Sequence, residues 1–260
     1  MTSTSSFRVR AQHIESDASR VSWARVLAAV VSAVIVLVTA TRPAAAAPAV
    51  GDTYVYRLTD GYTKQVRGQI SYRVDTIDAY RMVVAVTADT PSAGIARTEI
   101  YTNEGNWLRH PIINHDQPVE YEFATAYPAY LFPLEAGKSW SLRVDAINPA
   151  TGRRNSVRVD GEVIGAERIR VPAGEFDTIK VQRLVYAGDW EGFRRETNII
   201  ETDWYAPAMG RAVRSESSSQ YLDSTRARCC IRVAGDWNVY ELVFLPAPIR
   251  QSRFELVDTQ

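Results

Sequence analysis

His110, His115 and Asp116, with Glu120 and Glu122 close behind, are the residues whose types and spacing come nearest to a metal centre. Imidazole and carboxylate together suit zinc, but a preformed site needs its ligands held in place, as when two histidines share one helix face. Here His110 ends a strand-like run and His115 sits in a loop between Pro111 and Pro118, so nothing local fixes their geometry. No metal is expected. Cys229 and Cys230 are the only cysteines. Neighbours in a strand point to opposite faces, and a disulfide between adjacent residues closes a small, strained ring. One buried and one exposed thiol, or a bond to a second molecule, is favoured over a vicinal disulfide in an oxidising compartment. The chain has no Gly-x-Ser-x-Gly elbow, no phosphate-cradling glycine loop and no dinucleotide fingerprint. Its carboxylates are plentiful, as on any solvated surface, and no pair stands out as acid and base. The chain reads as non-enzymatic and free of cofactor.

What remains is the chemistry of aromatic rings. Most of the tryptophans and tyrosines fall on the inward positions of alternating runs, where the ordinary role is core. If the sheet that carries them curls into a barrel, its interior could hold one small apolar ligand, as in lipocalin-like and lipoprotein-carrier folds. Trp140, Trp204 and Tyr205, each beside a Pro/Gly corner, are then the candidate ligand-binding residues.

The elements that must position these rings are strands. Tyr54, Tyr56 and Leu58 alternate with Val55, Arg57 and Thr59 before an Asp60-Gly61 turn, which is the period of a half-buried strand. Ile70, Tyr72 and Val74 repeat the pattern in a run from Tyr62 to Thr76, long enough that Gly68 is expected to mark a bend or bulge. Further runs follow over Arg81–Ala88, Ile95–Thr102, Asn106–His110, Ser139–Ile147 and Val157–Val163. Pro128 and Pro133 restrict the stretch between Ala124 and Leu134 to a turn or two of helix. Ser215–Arg228 is polar and reads as a loop or fraying strand, and Val239–Leu245 as the last strand. The expectation is all-β: one antiparallel curved sheet or partly open barrel of about ten strands.

Two corners organise the second half of the chain. Val171-Pro172-Ala173-Gly174-Glu175-Phe176 leads into alternation at Ile179, Val181 and Val185, and Trp204-Tyr205-Ala206-Pro207 leads to Gly210. In each, proline interrupts a strand and glycine suits a turn with positive φ. These stretches, with Phe132-Pro133-Leu134 and Gly137-Lys138-Ser139-Trp140 upstream, resemble an uncharacterised family of exported, β-rich proteobacterial proteins. The resemblance covers roughly residues 130 to 215. It implies a fold and an address, and no reaction.

The address is also written at the N-terminus. Arg8, Arg10, Arg20 and Arg25 precede an apolar run from Val26 to Ala40 and then Ala44 to Ala47, the layout of a secretory signal peptide. The run falls short of the roughly 20 residues of a stable membrane span, so a retained anchor is the lesser alternative. Residues 1–46 are read as the signal peptide, cut near Ala46-Ala47, and 47–260 as one β domain with no stable transmembrane span. No cysteine adjoins the cut, which argues against a lipoprotein. Removing five arginines and two acids with the leader leaves 25 basic and 28 acidic residues, a balance that suggests no nucleic-acid partner. The expectation is an exported, periplasmic or secreted binder or carrier of an apolar or envelope-derived molecule. The alternative is an assembly partner that offers sheet edges to envelope proteins.

Overall fold

Burial with a period of two runs through nearly every segment, and it builds one continuous sheet. The computed structural model describes residues 48–111, 120–190, 194–225 and 231–244, apart from the side chains at 189, 190 and 194. The expected leader over 1–46, His115 with Asp116, and Cys229 with Cys230 lie outside the described residues.

Twelve strands are present among the described residues. The first six are β1 (Thr53–Asp60), β2 (Val66–Ile77), β3 (Arg81–Ala88), β4 (Arg97–Thr102), β5 (Trp107–Pro111) and β6 (Glu120–Tyr127). The second six are longer: β7 (Ser139–Ile147), β8 (Arg154–Val171), β9 (Gly174–Trp190), β10 (Arg194–Ala206), β11 (Arg211–Asp223) and β12 (Ile231–Phe244). Each pairs antiparallel with its sequence neighbour, and β1 pairs with β12 from Val55↔Phe244 to Asp60↔Asn238. The all-β, antiparallel, curved sheet expected from the alternation is what forms. It closes into a complete barrel, and it has twelve strands where about ten were expected. One reason is β11, whose polar run was expected as a loop or fraying strand and pairs along its length with β10 and β12. Among the described residues no helix is long and apolar enough to cross a membrane.

Local chemistry explains the bends. Gly68, at φ +146°, marks the place where the β1–β2 register shifts, as the length of that run required. Gly174 (φ +141°) and Gly210 (φ +62°) occupy positive-φ corners that L side chains rarely adopt. The Val171–Phe176 corner does more than turn the chain. β8 and β9 run past the end of β7, whose pairing stops at Ser139↔Glu162. The overhanging hairpin reaches β12, where the Ala173 N–H donates to the Leu242 carbonyl at 3.0 Å. Val171 is buried there with Leu242, Val213 and Ala206.

Two apolar clusters fill the interior. One packs Tyr121 and Phe123 of β6 against Trp140 and Val144 of β7 and the valines of β8 and β9. The other joins Tyr54, Tyr56 and Leu58 of β1 to Ile70, Val84, Val86 and the overhanging hairpin.

Candidate ligand-binding cavity

A row of directly paired inward residues crosses β7 to β12: Trp140, Gly161, Arg183, Glu201, Ser217 and Asn238. It starts in packed apolar core and ends in polar side chains, and the change of character locates the site. At Gly161 a Cβ would meet the Trp140 ring at 2.2 Å, so the indole lies flat in the space glycine leaves. Its Nε1–H donates to the Pro128 carbonyl at 3.2 Å. This half of the barrel is filled.

Arg183 opens the other half. It is 1% exposed and lies in phase with Val181 and Val185. A buried guanidinium is tolerable only when its donors are met, and here they are. Nε donates to Glu201 at 2.8 Å, Nη2 to Asp203 at 2.8 Å, and Nη1 to the Ala129 carbonyl at 3.0 Å. The Tyr127 hydroxyl donates to Glu201 at 2.9 Å and that of Tyr130 to Asp203 at 2.8 Å. Burial pushes both phenols up, and the neighbouring carboxylates push them further.

β4 and β5 supply a second charged layer. Arg97 pairs with the fully buried Glu99 at 2.6 Å, and Glu99 also accepts from the Tyr101 hydroxyl. His110 stacks on Trp107 at 3.9 Å, with Nε2 3.5 Å from Glu99 and Nδ1 2.6 Å from the Pro111 carbonyl. Burial pushes the His110 imidazole down, more than the facing Glu99 carboxylate raises it. Burial would raise Glu99, but His110, Arg97 and the Tyr101 hydroxyl together hold it below the usual carboxylate range.

These directions predict how stability responds to acid. Between the unfolded imidazole value of about 6.5 and the lower folded value, the unfolded chain binds the extra proton. Stability is therefore expected to fall as pH drops through that window and to recover above it. Glu99 adds a further loss at lower pH, as it is forced to take a proton in the fold. Urea midpoints at a series of pH values check this, and His110→Gln is expected to flatten the upper part of the curve. A wild-type midpoint constant from neutrality to mild acid would contradict it.

Between the charged layers lies a cavity of about 210 Å³, walled by residues of β1 to β5 and β9 to β12. Tyr56, Tyr72, Tyr101 and Tyr130 present rings to it, and Arg97, Arg183 and Arg211 present guanidinium groups. Arg211 lies over the Tyr54 ring at 3.8 Å, and the Tyr56 hydroxyl donates to the Ala212 carbonyl at 2.6 Å. Burial pushes the Tyr54 phenol up to about 12 against the lowering effect of Arg211. Ser217 and Ser219 of β11 complete the polar wall. β11 is thus a strand whose inward face is polar because the space it faces is polar.

None of Trp140, Trp204 and Tyr205 lines this cavity. Trp140 belongs to the filled half. Trp204 lies on the opposite face of β10 from Asp203 and Tyr205, between Lys180 and Arg214, each 4.9 Å from its ring. Its Nε1–H donates to Glu167 at 3.0 Å. Tyr205 points inward and packs on Tyr130 at 5.0 Å and Phe132 at 5.6 Å, so it backs a wall residue. Glu122 pairs with Arg109, and His110 turns to Glu99, so the carboxylates of β6 and this histidine do not converge. No group of metal-ligating side chains occurs among the described residues.

Arg97, Arg183 and Arg211 are the wall residues that sequence reasoning passed over. The signal was available for Arg183, a charge set directly between Val181 and Val185 on their inward register. Glu201 and Asp203 share the phase of Ile199 and Tyr205 in the same way. A charged residue on the inward register of a strand is either a folding error or part of a buried network. Chemically, the wall offers hydrogen-bond donors, ring faces and positive charge. Glu201 and Asp203, the nearest approach to an acid–base pair, are both committed to Arg183 and a tyrosine.

No family model matches the chain, and no curated protein matches it. The likenesses are to solved structures. A protein from Parabacteroides distasonis, named as a lipoprotein, is 16% identical, with 76% of this chain and 95% of that one covered at a TM-score of 0.44. One from Bacteroides fragilis, named as an exported protein with a YmcC-like fold, is 16% identical over 76% of this chain and 97% of its own, at 0.43. The hypothetical lipoprotein YmcC from Escherichia coli is 14% identical over 89% and 100%, at 0.37. At these scores none of them bears on what this chain binds.

Proposed function

We propose that the chain is an exported, non-enzymatic binding protein that carries a small amphiphilic molecule inside its barrel. The observation that carries this reading is the cavity of about 210 Å³ ringed by tyrosines and arginines. A cavity of about 150 Å³ already holds benzene, so this one has room for a single ring with a short polar arm. The walls refine the expectation of an apolar ligand. Tyrosine rings suit an apolar body, while Arg211 Nε and the Ser219 hydroxyl, which lack hydrogen-bond partners, favour a polar head.

The rival role, assembly through sheet edges, is less favoured by the closure. β1 and β12 would be the edges of an open sheet, and they pair with each other, which removes the template for a foreign strand. The outward faces of several strands carry charge pairs such as Arg158–Asp160 and Arg57–Glu241, groups that suit water and are costly against lipid.

Trp107 lies on the cavity wall and serves as a reporter. Titration with benzyl alcohol or phenylacetate is expected to give a saturable change in tryptophan emission. Trp107→Phe should remove most of that change while calorimetric heat of binding persists. Absence of saturable heat with either compound would count against a binding role for the interior.

A further inference from the structure

Three guanidinium groups reach the cavity, and two of them are neutralised at source. Arg97 is paired with Glu99 at 2.6 Å, and Arg183 with Glu201 and Asp203, each at 2.8 Å. Arg211 is different. It makes no ion pair among the described residues, and what surrounds it is tyrosine. Its guanidinium carbon stands 3.8 Å from the Tyr54 ring centroid, with the Tyr56 and Tyr72 rings at 5.3 and 5.8 Å. Its Nε is buried without a hydrogen-bond partner. The other carboxylates on the wall are occupied: Glu216 pairs with Arg214 at 2.5 Å, and Asp236 has a partner of its own.

A cation withdrawn from water needs a counter-charge and acceptors for its donors. Contact with ring faces supplies part of the first, and of the second the Tyr56 hydroxyl meets only one donor, with Nε left unmet. Tyr54 covers one face of the guanidinium plane, which leaves the N–H edges as the route to a partner. A planar carboxylate meets such an edge with two parallel hydrogen bonds. One unneutralised cation also matches one negative charge better than the two of a phosphate monoester.

Resting on the reading of the interior as a binding site, we infer that Arg211 is its anion anchor and that the ligand is a small ring-bearing or short-chain carboxylic acid. The carboxylate meets the Arg211 edge, and the apolar body lies among the rings of Tyr56, Tyr72 and Tyr101.

Calorimetric titration of the purified protein near neutral pH, with phenylacetate, phenylacetamide, phenethylamine and phenyl phosphate, tests this. These probes share a ring and differ in the head. Phenylacetate is expected to bind about tenfold or more tighter than phenylacetamide, the range for a hydrogen bond to a charged group, with phenethylamine weakest. Arg211→Met should bring acid and amide to similar affinity and leave the amide unchanged. Arg211→Lys should keep a preference for the acid, and with the wild-type series it decides the matter if the methionine variant does not fold. Equal binding of acid and amide by wild type would overturn the role of Arg211 and leave the cavity a binding site. Phenyl phosphate binding tenfold tighter than phenylacetate would overturn the carboxylate assignment. No binding by any probe would overturn both readings together.

Discussion

Arg183→Met is expected to be among the most damaging single changes in the molecule, at about 3–5 kcal/mol, the usual result of removing one member of a buried ion network. The side chain is 1% exposed, and its two carboxylate partners are 9% exposed. Without it Glu201 and Asp203 face each other's charge inside the barrel, and the Ala129 carbonyl loses its donor. For a domain of this size each kcal/mol lowers the melting temperature by about 2–4 °C, so a thermal melt should fall by roughly 6–20 °C. The loss belongs to the orphaned partners more than to the arginine. Arg183→Met combined with Glu201→Leu and Asp203→Leu should therefore recover much of it, since a buried ion network and a packed apolar one can be near parity. A single variant that melts within a degree or two of wild type would remove the network from the account.

Trp140→Ala should cost about 3–5 kcal/mol, as for other large buried aromatics. The indole fills the space over Gly161, where even a Cβ would come within 2.2 Å of it, and its Nε1–H is satisfied by Pro128. Affinity for phenylacetate should not change, because β7 contributes nothing to the cavity wall. Gly161→Val reaches the same contact from below and should lose about 1–3 kcal/mol by overpacking. Paired thermal melts and titrations separate the two roles. Weakened binding at unchanged stability would return Trp140 to the ligand wall, where the sequence alone suggested it.

The elements were legible because alternation is local. Tyr54, Tyr56 and Leu58 announce β1, and Val157, Val159 and Val163 announce β8, whatever lies across the sheet from them. The Pro/Gly corners were legible for the same reason, and Gly174 and Gly210 take the positive φ that their context demanded. Closure was not, since pairing β1 with β12 joins the two ends of the described sheet and leaves no mark in either strand. β11 was legible only as a loop or fraying strand, on physical grounds. Period-two logic assumes an apolar interior, and Ser215, Ser217 and Ser219 face a polar one. The choice of Trp140 and Trp204 failed to reach the cavity because ring type does not reveal which half of a barrel is packed. Register did hold the answer for Trp204, which shares the outward phase of Lys180 across the β9–β10 pair.

The central claim is that the space between the charged layers is a ligand site. It is tested most directly by crystals of the protein soaked with 4-bromophenylacetate and measured at the bromine edge. The account predicts an anomalous peak inside the barrel, among Tyr72, Tyr101 and Tyr130, with the carboxylate against Arg211. Soaked crystals with an interior that shows no peak, or with bromine only on the outer face of the sheet, would contradict it.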